Sequence, residues 1–313
     1  MSDPLSGRLW PRCRAAGGSP PDCHPGEQPA RVSVLTPRPG FLLLLCLGHD
    51  SSPQHLLCCH VRLTWSSWGI LVLLVRAHRV VFGQTPVMLF YVLGGLGPTI
   101  AAYVAVLATN RESPIAEFHA RLLRWRVAGR WYLLAVGMPV VLALVSLGVV
   151  ALLHPGSAPP FVAKPWYMFV PFFFFMILGG GLEELGWRGV AQPEIERSVA
   201  PVVAAVLVGL AWSLWHLPLF SLPGVSQHGT SFSVFVIQTI GAALLLAWLY
   251  SHTRSILLCI AFHASVNAIW ALGLGNPSTR ATLVLFNACL GAVVGGALLA
   301  FNAAPPERPS ARA

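Results

Sequence analysis

The amino-acid sequence predicts an all-α protein: a polytopic membrane helix bundle with about eight transmembrane helices. Hydrophobic residues make up 55% of the 313 residues and charged residues only 10%, and the mean hydropathy is +0.68. From residue 63 onward, long apolar stretches alternate with short polar connections. Because soluble domains carry roughly 25% charged residues, this composition excludes a soluble enzyme, and equally a disordered or coiled-coil chain.

The first 62 residues differ from the rest of the chain. They are rich in Pro, Gly, Arg, Cys and His and show no helical or strand periodicity. Their apolar run, Phe41–Leu47, is too short to cross a bilayer. We interpret residues 1–62 as a disordered leader or as sequence upstream of the true translation start, with a Cys/His metal-binding domain as the alternative. The transmembrane domain is then expected over residues 63–304, followed by a cytoplasmic tail at 305–313.

Eight apolar stretches predict the spans. The first, Leu63–Phe82, is the weakest because Arg76 and Arg79 interrupt it. The fourth begins at Trp166, enters an acidic motif and is expected to continue as a helix to about Arg197. The other predicted spans are Pro86–Thr109, Trp131–Leu153, Pro201 to beyond His216, Ser231–Tyr250, Ile256–Leu274 and Ala281–Phe301.

The positions of the arginines predict the orientation in the membrane. The connection 110–130 is assigned to the cytoplasmic side because it holds Arg111, Arg121, Arg124, Arg126 and Arg130. Counting onward, the loop 221–230 has no acidic or basic residue other than histidine and falls outside, whereas Arg254 and the tail fall inside. The net charge of +9 therefore fits membrane topology better than nucleic-acid binding.

Ionisable side chains inside apolar spans are costly, so each one is a candidate functional group. On a helix Glu184 and Arg188 are four residues apart and can form an ion pair. Glu183 lies about 100° further around the helix and has no such local partner. One semi-buried carboxylate is thus left in a position that suits a general base. The alternative is that both carboxylates only form ion pairs at a helix end.

His216 is the second candidate. Positions 183 and 216 are symmetric about 199.5, so a helical hairpin that turns at Val199–Pro201 places Glu183 and His216 at the same depth on adjacent helices. Pro201 suits the first turn of the second helix. A lone histidine in an apolar helix is more often a structural residue, and it is this location that favours a functional role.

His263 and Asn267 form the third element. They are four residues apart, so one helical face presents an imidazole and an amide together. Two aligned donors are what an oxyanion hole needs, although a polar contact between helices is the alternative. The sequence contains no HExxH, GxSxG or GxxxxGK[ST] motif. The remaining set suits attack of water on an acyl carbon.

Together these motifs resemble the signature of the CPBP intramembrane proteases, a family that includes type II CAAX prenyl endopeptidases and bacteriocin-processing or immunity proteins. The residues that carry the resemblance are Glu183-Glu184-x-x-x-Arg188, Trp212-x-x-x-His216 and His263-x-x-x-Asn267. The second motif usually begins with Phe, so Trp212 is a departure. The resemblance covers about residues 160–275.

The resemblance implies an eight-helix bundle with the site inside the membrane, open toward the cytoplasmic side. We expect the protein to reside in the plasma membrane as a multi-pass protein. It implies that Glu183 and His216 activate a water molecule and that His263 and Asn267 stabilise the oxyanion. Glu184 and Arg188 would support the first helix. This mechanism needs no cofactor. Zinc remains the alternative, because two His and one Glu could hold Zn²⁺ with the same side chains.

The expected function is that of an intramembrane endopeptidase. Its expected partners are the lipid bilayer and a hydrophobic or lipidated, CAAX-like peptide or protein substrate, and no nucleic acid. One alternative is a non-enzymatic immunity or binding protein that uses the same polar cluster. A proton-coupled transporter is less favoured, because the sequence shows no inverted repeat.

Overall fold

The computed structural model describes residues 53–108, 113–153, 164–274 and 281–302. Within these ranges the chain is helical and has no β-strand, which confirms the all-α class. Of the predicted leader, residues 1–52 lie outside the described residues, and residues from Pro53 onward already belong to the first helix. The predicted tail at 305–313 also lies outside them.

We number the α-helices of the described ranges in chain order. The first six are α1 Pro53–Arg76, α2 Thr85–Gly95, α3 Gly97–Leu107, α4 Pro114–Leu122, α5 Gly129–Leu153 and α6 Phe169–Leu178. The next six are α7 Glu184–Gly186, α8 Gln192–Ile195, α9 Pro201–Trp215, α10 Phe232–Thr253, α11 Ile256–Ala271 and α12 Ala281–Asn302.

Hydrogen bonds from polar side chains of α1 to the backbone of α2 hold these two helices together. Thr64 Oγ1 donates to the Gly94 carbonyl at 2.8 Å, and Trp68 Nε1 donates to the Tyr91 carbonyl at 2.9 Å. A side chain at Gly94 would collide with the Trp68 indole, so glycine is needed for this approach. At Leu96 the chain bends by 44° between α2 and α3.

Helices α10 and α11 carry many buried residues, and α12 packs closely against α10. A Cβ at Gly241 of α10 would lie 2.8 Å from the Ala292 nitrogen, and a Cβ at Gly295 of α12 would lie 2.9 Å from the Leu245 nitrogen. Small residues thus let α10 and α12 approach closely, as is common between membrane helices. Helix α11 packs between α5 and α6, and most of its residues are buried.

The chain is a multi-pass membrane protein, but the structure does not confirm eight spans. By length and composition, five described stretches can cross a membrane: Gly129–Leu153, Trp166–Ile195, Pro201–Ser221, Phe232–Thr253 and Leu283–Phe301. The bent pair α2–α3 makes six if it counts as one span. Helix α11 is apolar but has 16 residues, fewer than the roughly 20 that a span needs. Helix α1 is not among these stretches, in line with the weakness of the first predicted span.

Candidate active site

The four candidate residues line one cavity of about 350 Å³. Glu183, His216 and His263 are each at most 8% exposed, and Asn267 is half-buried. The walls come from α1, α2, α5, α6, α9, α10, α11 and α12 and from the connections between α6 and α7 and between α9 and α10. The three polar elements singled out in the sequence therefore meet in one place.

The backbone around Glu183 is irregular. Where the sequence analysis expected a continuous helix, α6 ends at Leu178, a 3₁₀ turn covers Gly181–Glu183, and a π turn covers Trp187–Ala191. Three consecutive glycines at 179–181 explain the break, because each glycine costs a helix roughly 1 kcal/mol relative to alanine.

Helix α3 holds the irregular segment in place. Thr99 Oγ1 donates to the Leu182 carbonyl at 2.8 Å. A Cβ at Gly186 would lie 2.6 Å from the Pro98 carbonyl oxygen, so only glycine allows this approach of α7 to α3. Residues 183 and 184, which carry the two carboxylates, thus lie between two contacts with α3.

Glu184 is the centre of a fully buried ion cluster. Arg188 Nη1 donates to both of its carboxylate oxygens, at 3.0 and 2.9 Å, and both side chains have 0% exposure. This is the ion pair that the four-residue spacing predicted. His263 Nδ1 also donates to Glu184 Oε1 at 2.9 Å, a contact that the sequence analysis missed. Glu184 therefore links the acidic motif to α11 as well as to its own helix.

Glu183 has a partner from the other arm of the hairpin. Trp212 Nε1 donates to Glu183 Oε2 at 2.7 Å, and the indole is 5% exposed. From the sequence alone we expected no local partner for Glu183, and Trp212 stood out only as a departure from the family motif. The symmetry of the hairpin could have predicted this contact. Residue 216 lies opposite residue 183, and residue 212 lies one helical turn before residue 216. An ionised carboxylate accepts about four hydrogen bonds, so Glu183 keeps acceptor capacity for a water molecule.

His216 lies at the end of the second arm of this hairpin. Helix α8 ends at Ile195 and α9 begins at Pro201, so the connection falls close to the predicted turn. His216 caps the carboxyl end of α9, and its Nδ1 donates to the Trp212 carbonyl at 3.0 Å. Phe235 packs edge-on against the ring at 5.2 Å between centroids. This arrangement orients the imidazole and leaves Nε2 as its second polar atom.

His263 Nε2 and Asn267 Nδ2 meet at Gly180. A Cβ built on Gly180 would lie 3.2 Å from His263 Nε2 and closer still to Asn267 Nδ2. Because Nδ1 of His263 donates to Glu184, Nε2 donates a second hydrogen bond only when the ring carries both protons. The backbone at Gly180, three residues before Glu183, is thus within reach of two convergent nitrogens.

The described residues contain no group of three or more His, Cys, Asp and Glu side chains arranged to hold a metal ion. We therefore derive no step through a metal.

The arrangement combines a buried carboxylate, an oriented imidazole and a pair of donors around one cavity. A carboxylate and an imidazole can take and return the protons of a water molecule. Two nitrogen donors at a common point can stabilise the negative oxygen that forms when water adds to a carbonyl. These are the groups that hydrolysis of an acyl compound requires.

Comparisons with known proteins point the same way. Residues 164–269 match the family model "Type II CAAX prenyl endopeptidase Rce1-like". This match includes the acidic motif, the hairpin and the two candidate residues of α11, His263 and Asn267. The chain is also 26% identical over 196 residues to a protein named CAAX prenyl protease 2 from Methanococcus maripaludis, which covers 58% of this chain and 70% of that protein.

Proposed function

Because the chain is a membrane endopeptidase of the CPBP intramembrane protease family, we propose that it hydrolyses a peptide bond near the C-terminus of a lipidated, CAAX-like protein or peptide. The observation that carries this proposal is the geometry of the cavity. It joins the Glu183 carboxylate and His216 to the two donors of α11 at Gly180.

In the proposed mechanism, Glu183 accepts a proton from a water molecule that His216 helps to orient. The water oxygen attacks the carbonyl carbon of the scissile bond, and the carbonyl oxygen becomes negative. His263 Nε2 and Asn267 Nδ2 donate hydrogen bonds to this oxygen. The C–N bond then breaks as the proton held by Glu183 passes to the leaving nitrogen, which yields an amine and a carboxylic acid that releases its remaining proton to the solvent.

The fixed groups of the site have distinct parts in this scheme. Glu184 orients His263 through Nδ1, while Arg188 holds Glu184 through a buried ion pair. The apolar remainder of the cavity includes Leu142, Leu246 and Phe262, and such a lining suits a hydrophobic substrate.

We test this proposal with an internally quenched peptide that ends in a prenylated CaaX sequence, using purified protein in detergent. Glu183→Gln and His216→Ala are expected to abolish cleavage while the melting temperature stays close to that of wild type. Glu194→Gln is the matched control, because Glu194 is 37% exposed and lies outside the cavity. Equal cleavage by Glu183→Gln and wild type would refute the proposed function.

We also propose that the protein resides in the plasma membrane with its site open to the cytoplasm. The basic connection after α3 supports this orientation. A cysteine in place of the exposed Arg126, in a background without other cysteines, should react with an impermeant maleimide in inside-out vesicles only. Labelling only in right-side-out vesicles would reverse the orientation.

A further inference from the structure

Trp212 contacts polar side chains from both of the other motifs of the site. Its indole nitrogen donates to Glu183 Oε2, and its ring lies 5.0 Å from the His263 ring in an edge-on arrangement. The Arg188 guanidinium lies 5.2 Å from the centroid of the same ring. A buried side chain with these three contacts has little freedom to rotate.

The backbone of the same residue orients the other half of the water-activating pair. The Trp212 carbonyl accepts the hydrogen bond from His216 Nδ1 at 3.0 Å. One residue therefore holds the carboxylate through its side chain and the imidazole through its main chain. These two contacts act on opposite sides of the hairpin, since Glu183 precedes the turn and His216 follows it.

The contact with Glu183 depends on the indole N–H. A phenylalanine at this position would keep an aromatic ring beside Arg188 and His263 but would have no donor for the carboxylate. A hydrogen bond from a fixed donor selects one orientation of the carboxylate, and small displacements of a reacting group can reduce the rate strongly.

From these contacts we propose that Trp212 is a positioning residue that holds the Glu183 carboxylate in the orientation required for water activation. This inference rests on the proposed function, because it concerns the base of that reaction. Trp212 itself need not touch the substrate. Its role is to fix Oε2, so that the rest of the carboxylate faces the cavity in one way.

The test compares two Trp→Phe variants. Trp212→Phe removes the donor to Glu183 and leaves the backbone contact to His216. Trp248→Phe is the control: Trp248 is also buried, its Nε1 has no hydrogen-bond partner among the described residues, and it does not line the cavity. Both variants lose the same indole atoms from a buried site.

Trp212→Phe should lower kcat for the prenylated CaaX peptide roughly 10- to 100-fold, the equivalent of one hydrogen bond to a charged group, with KM changed by no more than about 2-fold. Trp248→Phe should leave both constants near those of wild type. Unchanged kcat in Trp212→Phe, or equal losses in the two variants, would overturn the inference.

An infrared measurement reads the contact without turnover. The carboxylate band that disappears in Glu183→Gln should shift in frequency in Trp212→Phe and stay in place in Trp248→Phe. An unshifted band in Trp212→Phe would overturn the inference even if activity fell. A wild-type protein that cleaves no peptide would refute the proposed function and with it the role of Trp212, whereas a cleaving wild type with an unaffected Trp212→Phe would refute the positioning role alone.

Discussion

Removal of the Glu184 charge is the most direct perturbation of the buried cluster. Arg188 has 0% exposure, and its Nη1 donates to both Glu184 oxygens. Its Nε and Nη2 have no hydrogen-bond partner among the described residues, so no second acceptor is at hand. Breaking a buried pair on one side leaves an uncompensated charge and costs about 3–5 kcal/mol. We expect Glu184→Gln to fall at the lower end, because the amide oxygen still accepts one hydrogen bond.

The exposed pair Glu194–Arg197 provides the matched control. Its N–O distance is also 2.9 Å, but its side chains are 37% and 60% exposed. A surface pair of this kind contributes about 0.2–1 kcal/mol. The unfolding free energies of Glu184→Gln and Glu194→Gln, measured by steric trapping in bicelles, should therefore differ by about 2 kcal/mol or more.

A double variant separates the charge effect from a general packing defect. If the unpaired guanidinium is the cause, Arg188→Met combined with Glu184→Gln should be more stable than the sum of the two single effects. Equal stabilities of Glu184→Gln and Glu194→Gln, or strict additivity in the double variant, would refute this reasoning.

Two further predictions concern close approaches at glycines. Gly180→Ala should reduce kcat at least about 10-fold, because the added methyl group would intrude on the His263 and Asn267 nitrogens. A methyl group at Gly137 on α5 meets nothing within 4 Å, so Gly137→Ala should leave peptide cleavage unchanged. Equal cleavage rates of the two variants would contradict the assigned donors. Gly295→Ala should destabilise the protein by about 1–3 kcal/mol, because the added methyl group overpacks against α10. Gly291→Ala on the same helix has free space around the methyl group and should be neutral or stabilising. Thermal unfolding of both variants measures this, and equal melting temperatures would contradict the assigned contact.

Local spacing and hairpin symmetry were enough to predict much of the site. The Glu184–Arg188 pair follows from four-residue spacing, and the shared cavity of Glu183 and His216 follows from the turn near residue 200. The contact between Glu184 and His263 joins residues 79 positions apart. No local pattern reveals such a pair, because it depends on how α11 packs against the irregular segment.

The number of spans was less predictable than the class of fold. Hydropathy identifies apolar stretches but not how the chain breaks within them. Glycines 179–181 interrupt one predicted helix, and the bend at Leu96 divides another. Helix α11 reads as a span in the sequence, yet its helical part ends at Ala271. Each difference arises where packing against a neighbouring helix decides the geometry.

The π turn at Trp187–Ala191 has a consequence for sequence alignment. It accommodates one more residue than a regular turn would. Deleting Val190 would convert this turn to regular helix, and the residues beyond it would keep nearly the same orientation relative to the acidic motif, because the deletion removes the residue that the wider turn accommodates. The hairpin would still bring the face of α9 that carries Trp212 and His216 toward Glu183. A homologue that is one residue shorter here needs no compensating insertion, so single-residue differences in length should occur within this turn rather than in the regular helices around it.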